Sequence, residues 1–217
     1  VDRNFLIRGY QRSDFDITAT VVEKEVPVQD LGLPGIVRIF GEDAFAYATH
    51  ALLLNQKAIL VGTDQQILKT LFINFIALFE QEISNSASAI EIMSKEEFNR
   101  LNPIDMDGDL IIDLDFSVIK SNPFSNDMIK IEKDLIKETM AIKNAEQEKA
   151  DFKDKISRIF LYVNVILNSI YQGQTNFKDV KKTMKAKRDI NDKEFELAWA
   201  IANSEDTYLR RLGFLDL

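Results

Sequence analysis

The chain has 217 residues, 46% of them hydrophobic and 29% charged, with a net charge of −8. This is ordinary globular usage, enough for one large domain or two small ones, and it excludes collagen-like, disordered and low-complexity readings. With no Cys and a single His, His50, it also excludes disulfides, thiolate zinc sites, iron–sulfur clusters, Cys nucleophiles and any site built from a His cluster.

No uncharged apolar run approaches the roughly 20 residues of a membrane span. No signal-peptide pattern opens the chain, and Val1 without Met suggests an excised or processed product. A reducing, cytoplasmic setting is the expectation. Residues 1–124 hold 10 Lys/Arg against 19 Asp/Glu, and residues 125–217 hold 17 against 16. The acidity therefore lies in the first part, which argues against general nucleic-acid binding, because phosphates need a basic footprint.

Residues 1–35 are mixed, and the β-branched run Asp16–Glu23 predicts a strand. Gly41-Glu42-Asp43 precedes an Ala- and Leu-rich stretch over 44–55 that favours helix. Ala58–Val61, closed by Gly62, reads as a strand buried on both faces. Asp64 is placed to cap a helix carrying Leu68, Leu71, Phe72, Phe75 and Phe79. Ser84–Ala89 is a polar loop, and Ala89–Met93 alternates as a strand. Ser94-Lys-Glu-Glu97 is a capping box that starts a short helix ending before Pro103. A turn at Asp107-Gly108 leads into a strand over 109–115. This alternation is that of an α/β fold.

After Pro123 almost everything over 126–213 reads as helix. Ile156, Ile159, Phe160, Val163, Ile166, Leu167 and Ile170 share one face, and Leu161, Tyr162 and Val165 fill the other. That pattern predicts a central helix buried on most sides and ended by Gly173. Asn191 with Glu194 predicts a second capping arrangement, opening a helix that carries Phe195, Ala198, Trp199 and Ala202. Leu209, Leu212 and Phe214 form an apolar tail that needs a groove. The change of character near 122–127 marks a boundary between two packed subdomains.

Few residues point to chemistry. Asp105, Asp107 and Asp109 imitate the start of a calcium loop, but positions six and twelve are Leu110 and Phe116. An EF-hand loop needs Gly and Glu there, so no calcium binding is expected. His50, inside the first clear helix, reads as a packed or surface residue. Gly32-Leu-Pro-Gly35 lacks the Gly-Lys-Ser/Thr ending of a phosphate loop. No nucleophile, base and oxyanion stabiliser come together, so no catalytic residue, cofactor or metal site is expected. The Phe-rich helices read as core. Lys178, Lys181, Lys182, Lys185, Lys187 and Arg188, against Asp179, form a dense basic stretch. It is either a solvated helix face and its exit or a surface for a partner or lipid headgroups. Lys181, Lys182, Lys185, Lys187 and Arg188 are the candidate partner-binding residues.

Residues 51–60, Ala-Leu-Leu-Leu-Asn-Gln-Lys-Ala-Ile-Leu, resemble the core of the DENN superfamily. There a Leu-rich helix passes through a Leu-Leu-Glu-x-Arg corner into a buried strand and a second Leu-rich helix. Asn55 stands where Glu is usual, and Glu80-Gln81 replaces the Pro that ends the second helix. Leu110-Ile-Ile-Asp-Leu-Asp115 is similar to the isoleucine–aspartate strand of that core, after which an extended stretch and helices follow. Gly41-Glu-Asp-Ala-Phe45 and the Asn55-Gln56 corner resemble the folliculin branch, as does a helical tail over 151–217. The resemblance spans about residues 31–217.

It implies an α/β (α+β) core over 31–124 with a short central sheet flanked by helices, and a helical subdomain over 125–217. Residues 1–30 would be an extension, an edge strand or the end of a longin-type lobe. It further implies regulation of small GTPases, by nucleotide exchange or GTPase activation, with a longin-type lobe or partner and recruitment to a membrane surface through a partner. In folliculin-type proteins that lobe carries the catalytic arginine, and none of Arg3, Arg8, Arg12, Arg38 and Arg100 sits in a recognisable finger motif. Two alternatives stand beside this reading. One is a non-enzymatic scaffold or assembly module. The other is a DNA-binding regulator, with 177–188 and 192–203 as a helix-turn-helix and Lys181–Arg188 on phosphates.

Overall fold

The computed structural model describes residues 29–79, 90–101, 108–173, 176–187 and 190–211, the last seven of these and Lys187 by backbone alone. The strand expected over 16–23, Asp105, Asp107 and the side chains of the apolar tail lie outside the described residues. Within them the fold is α/β (α+β), with eight helices and a four-stranded mixed sheet.

Helix α1 (Gly32–Phe40) turns into α2 (Glu42–Leu53) at Gly41, where φ is 81° and ψ 145°. A Cβ disfavours that combination, so glycine makes the bend. Four alanines let α2 approach its neighbours closely, and every residue from Ala44 to Leu53 is buried. The helix ends in a Schellman motif: Gln56 N–H donates to the Ala51 carbonyl at 2.8 Å and Asn55 N–H to that of Leu52 at 3.2 Å. Asn55 takes the left-handed conformation this requires, with φ 52°. Asparagine tolerates it better than glutamate, which is the physical sense of the Asn at this corner.

The corner delivers the chain into β1 (Ala58–Gly62), buried along its whole length. The Asp64 carboxylate caps α3 (Gln65–Ile76), accepting from the N–H groups of Gln66 at 2.9 Å and Ile67 at 3.0 Å. Strand β2 (Ile90–Ser94) runs into α4 (Lys95–Arg100), whose capping box is complete in both directions. Strands β3 (Leu110–Asp113) and β4 (Val118–Ser121) follow. The sheet order is β2-β1-β3-β4. Both neighbours of β1 are parallel to it, and β4 is antiparallel to β3. Strand β4 has no apolar signature, because it is short and exposes every second residue. The residue pattern alone therefore does not announce it.

Alternation sends Ala58, Leu60, Ile90, Leu110 and Ile112 into the main core. Ile59, Val61 and Ile111 go to the opposite face, where Met93 and Phe98 pack on them. The helical part, α5 (Lys130–Met140), α6 (Ala145–Tyr171), α7 (Phe177–Lys187) and α8 (Asp192–Arg211), covers the main core. One apolar cluster runs without a break from Leu33 to Ala202. Its centre is Phe40, Phe45, Phe75, Phe79 and Phe152, with ring centroids 5.1–5.8 Å apart in edge-to-face and tilted pairs.

Two expectations need correction. Helix α6 is buried along one broad face rather than on most sides: Tyr162 is buried, but Leu161 is 44% exposed and Val165 only half-buried. Tyr162 and Val165 still pack on the core at the edges of that face, and Leu161 alone of the second row is left to solvent. The start of α8 is not a reciprocal capping box. The Asn191 side chain accepts from the N–H groups of Lys193 and Glu194. The Glu194 carboxylate turns away to take both ends of the Arg158 guanidinium, at 3.1 and 2.9 Å. A buried carboxylate gains more from a bidentate guanidinium than from one backbone N–H.

Ile59 is fully enclosed on the side of β1 away from the helical part. Ile59→Asp places an unpaired charge there and should lower stability by about 3–5 kcal/mol. Urea denaturation reads this as a large fall in the midpoint; an unchanged midpoint would contradict the burial.

Candidate functional site

The basic stretch forms α7 and its exit. Lys181 is only 18% exposed, 3.3 Å from Asp192 and 3.6 Å from Glu196 of α8. Its ammonium also lies over the rings of Phe177 and Phe195, at 5.2 and 5.8 Å. Lys185 reaches Asp192 at 2.7 Å. Lys185 first, and Lys181 with it, hold the Asp192 carboxyl below its ordinary range. Two of the five candidate cations thus clamp α7 to α8. Lys182 and its neighbour Lys178 are exposed and make no ion pair with the described residues. The Lys187 side chain and Arg188 lie outside the described residues.

A second polar group gathers at the C-terminal ends of β1 and β3, the end where open α/β sheets commonly take ligands. The Asp115 carboxylate accepts from the Thr63 hydroxyl at 2.6 Å, the Thr63 N–H at 2.9 Å and Lys95 at 3.0 Å. Those three donors, the Thr63 hydroxyl foremost, hold its carboxyl at about 2. Buried Asp113 sits 3.5 Å from Lys95 and 3.6 Å from Lys120. Lys95 also lies 4.5 Å above the ring of Phe116, which is 68% exposed. The acids are occupied by the chain's own donors, so this cluster is a latch that ties the ends of β1 and β3 to the start of α4 and to β4. It leaves Phe116 and Val118 facing solvent. At the other end of the strands Lys57 spans Glu91 and Asp109, each at 3.4 Å.

The third group was hidden in the sequence. His50 on α2 is 4% exposed and its Nδ1 meets Oε1 of Glu132 on α5, itself 1% exposed, at 2.5 Å. A carboxylate only accepts, so Nδ1 carries the hydrogen and the ring orientation is fixed. The Phe124 ring stands edge-on to the imidazole at 5.0 Å, and Tyr47, stacked on Phe124, donates to Asn126 at 2.6 Å. Beside His50 lies a cavity of about 440 Å³, walled by Leu54, Phe124 and Met128 with Gln56 and Lys57 at its polar side. Of the two readings open for His50, packed or surface, the packed one holds. Its partner is 82 residues away, and no local spacing signals such a pair. Among the described residues no hydroxyl is hydrogen-bonded to the imidazole.

Among the described residues no group of three potential metal ligands occurs and no helix is long and apolar enough to cross a membrane. Asp109 belongs to Lys57. Arg38 is exposed on α1, and Arg100 lies 3.8 Å from Glu96 on the same helix.

The low Asp115 value has a defined consequence. A carboxyl depressed by folding adds stability above its unfolded value near 3.9, and that stability is lost as the pH falls from about 4 towards 2. Asp115→Asn lacks this contribution. The stability gap between wild type and variant should therefore narrow between about pH 5 and pH 2 in denaturant titrations, and a constant gap would contradict the assignment. Compared with known proteins, the chain matches no family model, no curated protein and no solved structure.

Proposed function

We propose that the chain is a DENN-like regulatory module of the cytoplasm that binds a small GTPase. It acts on nucleotide exchange or GTP hydrolysis together with a longin-type lobe or partner, which also brings it to a membrane surface. The observation that supports this reading is the order of elements around the central strand. A Leu-rich helix, a left-handed corner at Asn55, a buried strand, a second helix and the isoleucine–aspartate strand β3 are followed by a helical tail on the same core. That is the order the resemblance leads one to expect. The DNA-binding alternative loses support from α7, because Lys181 and Lys185 are committed to Asp192 and Glu196 of α8. The scaffold alternative shares the fold and differs in predicting no nucleotide-dependent binding.

The test is a pulldown with small GTPases loaded with GDP or a GTP analogue, followed by exchange and single-turnover hydrolysis assays with and without a longin-type partner. Binding without strong acceleration by the chain alone is expected, since an inserted arginine contributes about 10³–10⁵ in rate. A hundredfold acceleration by the 217-residue chain alone would overturn the need for a partner. The electrostatic contribution is best tested at Lys178 and Lys182. Their reversal to Glu should slow association with an acidic switch surface at low salt, with an effect that fades at high salt. Reversal of Lys181 or Lys185 would instead loosen α7 from α8 and confuse binding with stability.

A further inference from the structure

The cavity beside His50 belongs to neither the basic stretch nor the strand-end latch. Its floor holds a buried imidazole whose Nδ1 is spent on Glu132. Among the described residues Nε2 has no hydrogen-bond partner, yet it is not one of their fully enclosed unpartnered atoms, which are Thr49 Oγ1, Glu132 Oε2 and Glu148 Oε2. It therefore reaches open space, and the open space that His50 borders is this cavity. At about 440 Å³ it is an open-sided cleft rather than an enclosed chamber, with room for one small ring. Its walls are an aromatic ring, a leucine and a thioether.

The charges decide what fits. Glu132 already pairs with His50, and Lys57 is shared between Glu91 and Asp109. Among the described residues no surplus positive charge faces the cavity, so an anion gains little there. A neutral imidazole with hydrogen on Nδ1 presents a lone pair at Nε2 and asks for a donor. A protonated one presents N–H and asks for an acceptor. A hydroxyl group satisfies both. Phe124, Leu54 and Met128 ask for a flat apolar body behind it.

We propose that this cavity binds a phenolic hydroxyl carried on an apolar ring, with the hydroxyl on His50 Nε2 and the ring against Phe124, Leu54 and Met128. The ligand is a free phenol or a tyrosine side chain. The site is independent of the GTPase reading.

A single His makes the test direct, because the long-range ¹H–¹⁵N spectrum of the whole chain contains one imidazole. Titration with p-cresol should move the Nε2 resonance saturably. Toluene should bind roughly three- to tenfold more weakly, the worth of one hydrogen bond, and leave Nε2 in place. N-acetyl-tyrosinamide separates the sources: a saturable Nε2 shift assigns the site to a polypeptide tyrosine, and a shift with p-cresol alone assigns it to free phenols. Met128 is 54% exposed, so Met128→Ala should fold normally, keep its melting temperature and bind p-cresol several-fold more weakly. Three results would each overturn the proposal: no Nε2 shift with either phenol up to its solubility, an equal shift with toluene, or unchanged p-cresol affinity in Met128→Ala.

Discussion

Five phenylalanines hold the protein together. Phe40 and Phe45 come from the first helix pair, Phe75 and Phe79 from α3 and the turn after it, and Phe152 from the long helix α6. All five are almost wholly enclosed. Three of their six ring pairs meet edge to face and three are tilted; such aromatic pairs contribute about 0.5–1.5 kcal/mol each beyond simple burial. The sheet, the helices beside it and the helical tail thus share one core. A sheet with a parallel centre needs cover on both faces: α2 and α3 lie on one face, with α1 and α6 packed behind them, and α4 lies on the other.

Apolar contact is tolerant of small shifts, and the polar pairs remove that tolerance. Glu132 ties α5 to α2 through His50, Glu194 ties α8 to α6 through Arg158, and Lys193 joins α8 to α5 through Asp134 at 2.9 Å. Glu132 and Glu194 are each 1% exposed and are satisfied in one register only, whereas Lys193–Asp134 is a surface pair. Buried pairs of this kind add little net stability over an apolar replacement, but removing one partner leaves a buried polar group uncompensated. Asn74 does the same for the entering chain without charge, accepting from Leu31 N–H and donating to the Gln29 carbonyl, both at 3.0 Å.

What could be read from the residues was local. The caps at Asp64 and Ser94, the apolar block of β1 and the stripe on α6 are short-range patterns, and each lies where its spacing indicates. Elements and groups defined by distant partners could not be read this way. Strand β4 exists because β3 pairs with it, and its own residues alternate without a clear apolar row. Glu194 fits a capping box by spacing, yet Arg158, 36 residues earlier, wins its carboxylate. Lys181 and Lys185 look like free cations in sequence because their acids sit on the next helix. His50 shows least of all, since its partner and its cavity come from segments far along the chain.

The position of β1 sets a schedule for folding. Ala58 pairs with Ile90 on one side and with Leu110 on the other, so the most apolar strand is made first and completed last. At about 5–20 residues per second, the roughly 50 residues separating it from β3 take several seconds to emerge from a ribosome, and Phe152 arrives later still. Over that interval the nascent chain carries an unpaired apolar strand between two Leu-rich helices. A chaperone that recognises short apolar segments would meet this chain there, and its release would be timed by the synthesis of the helical tail.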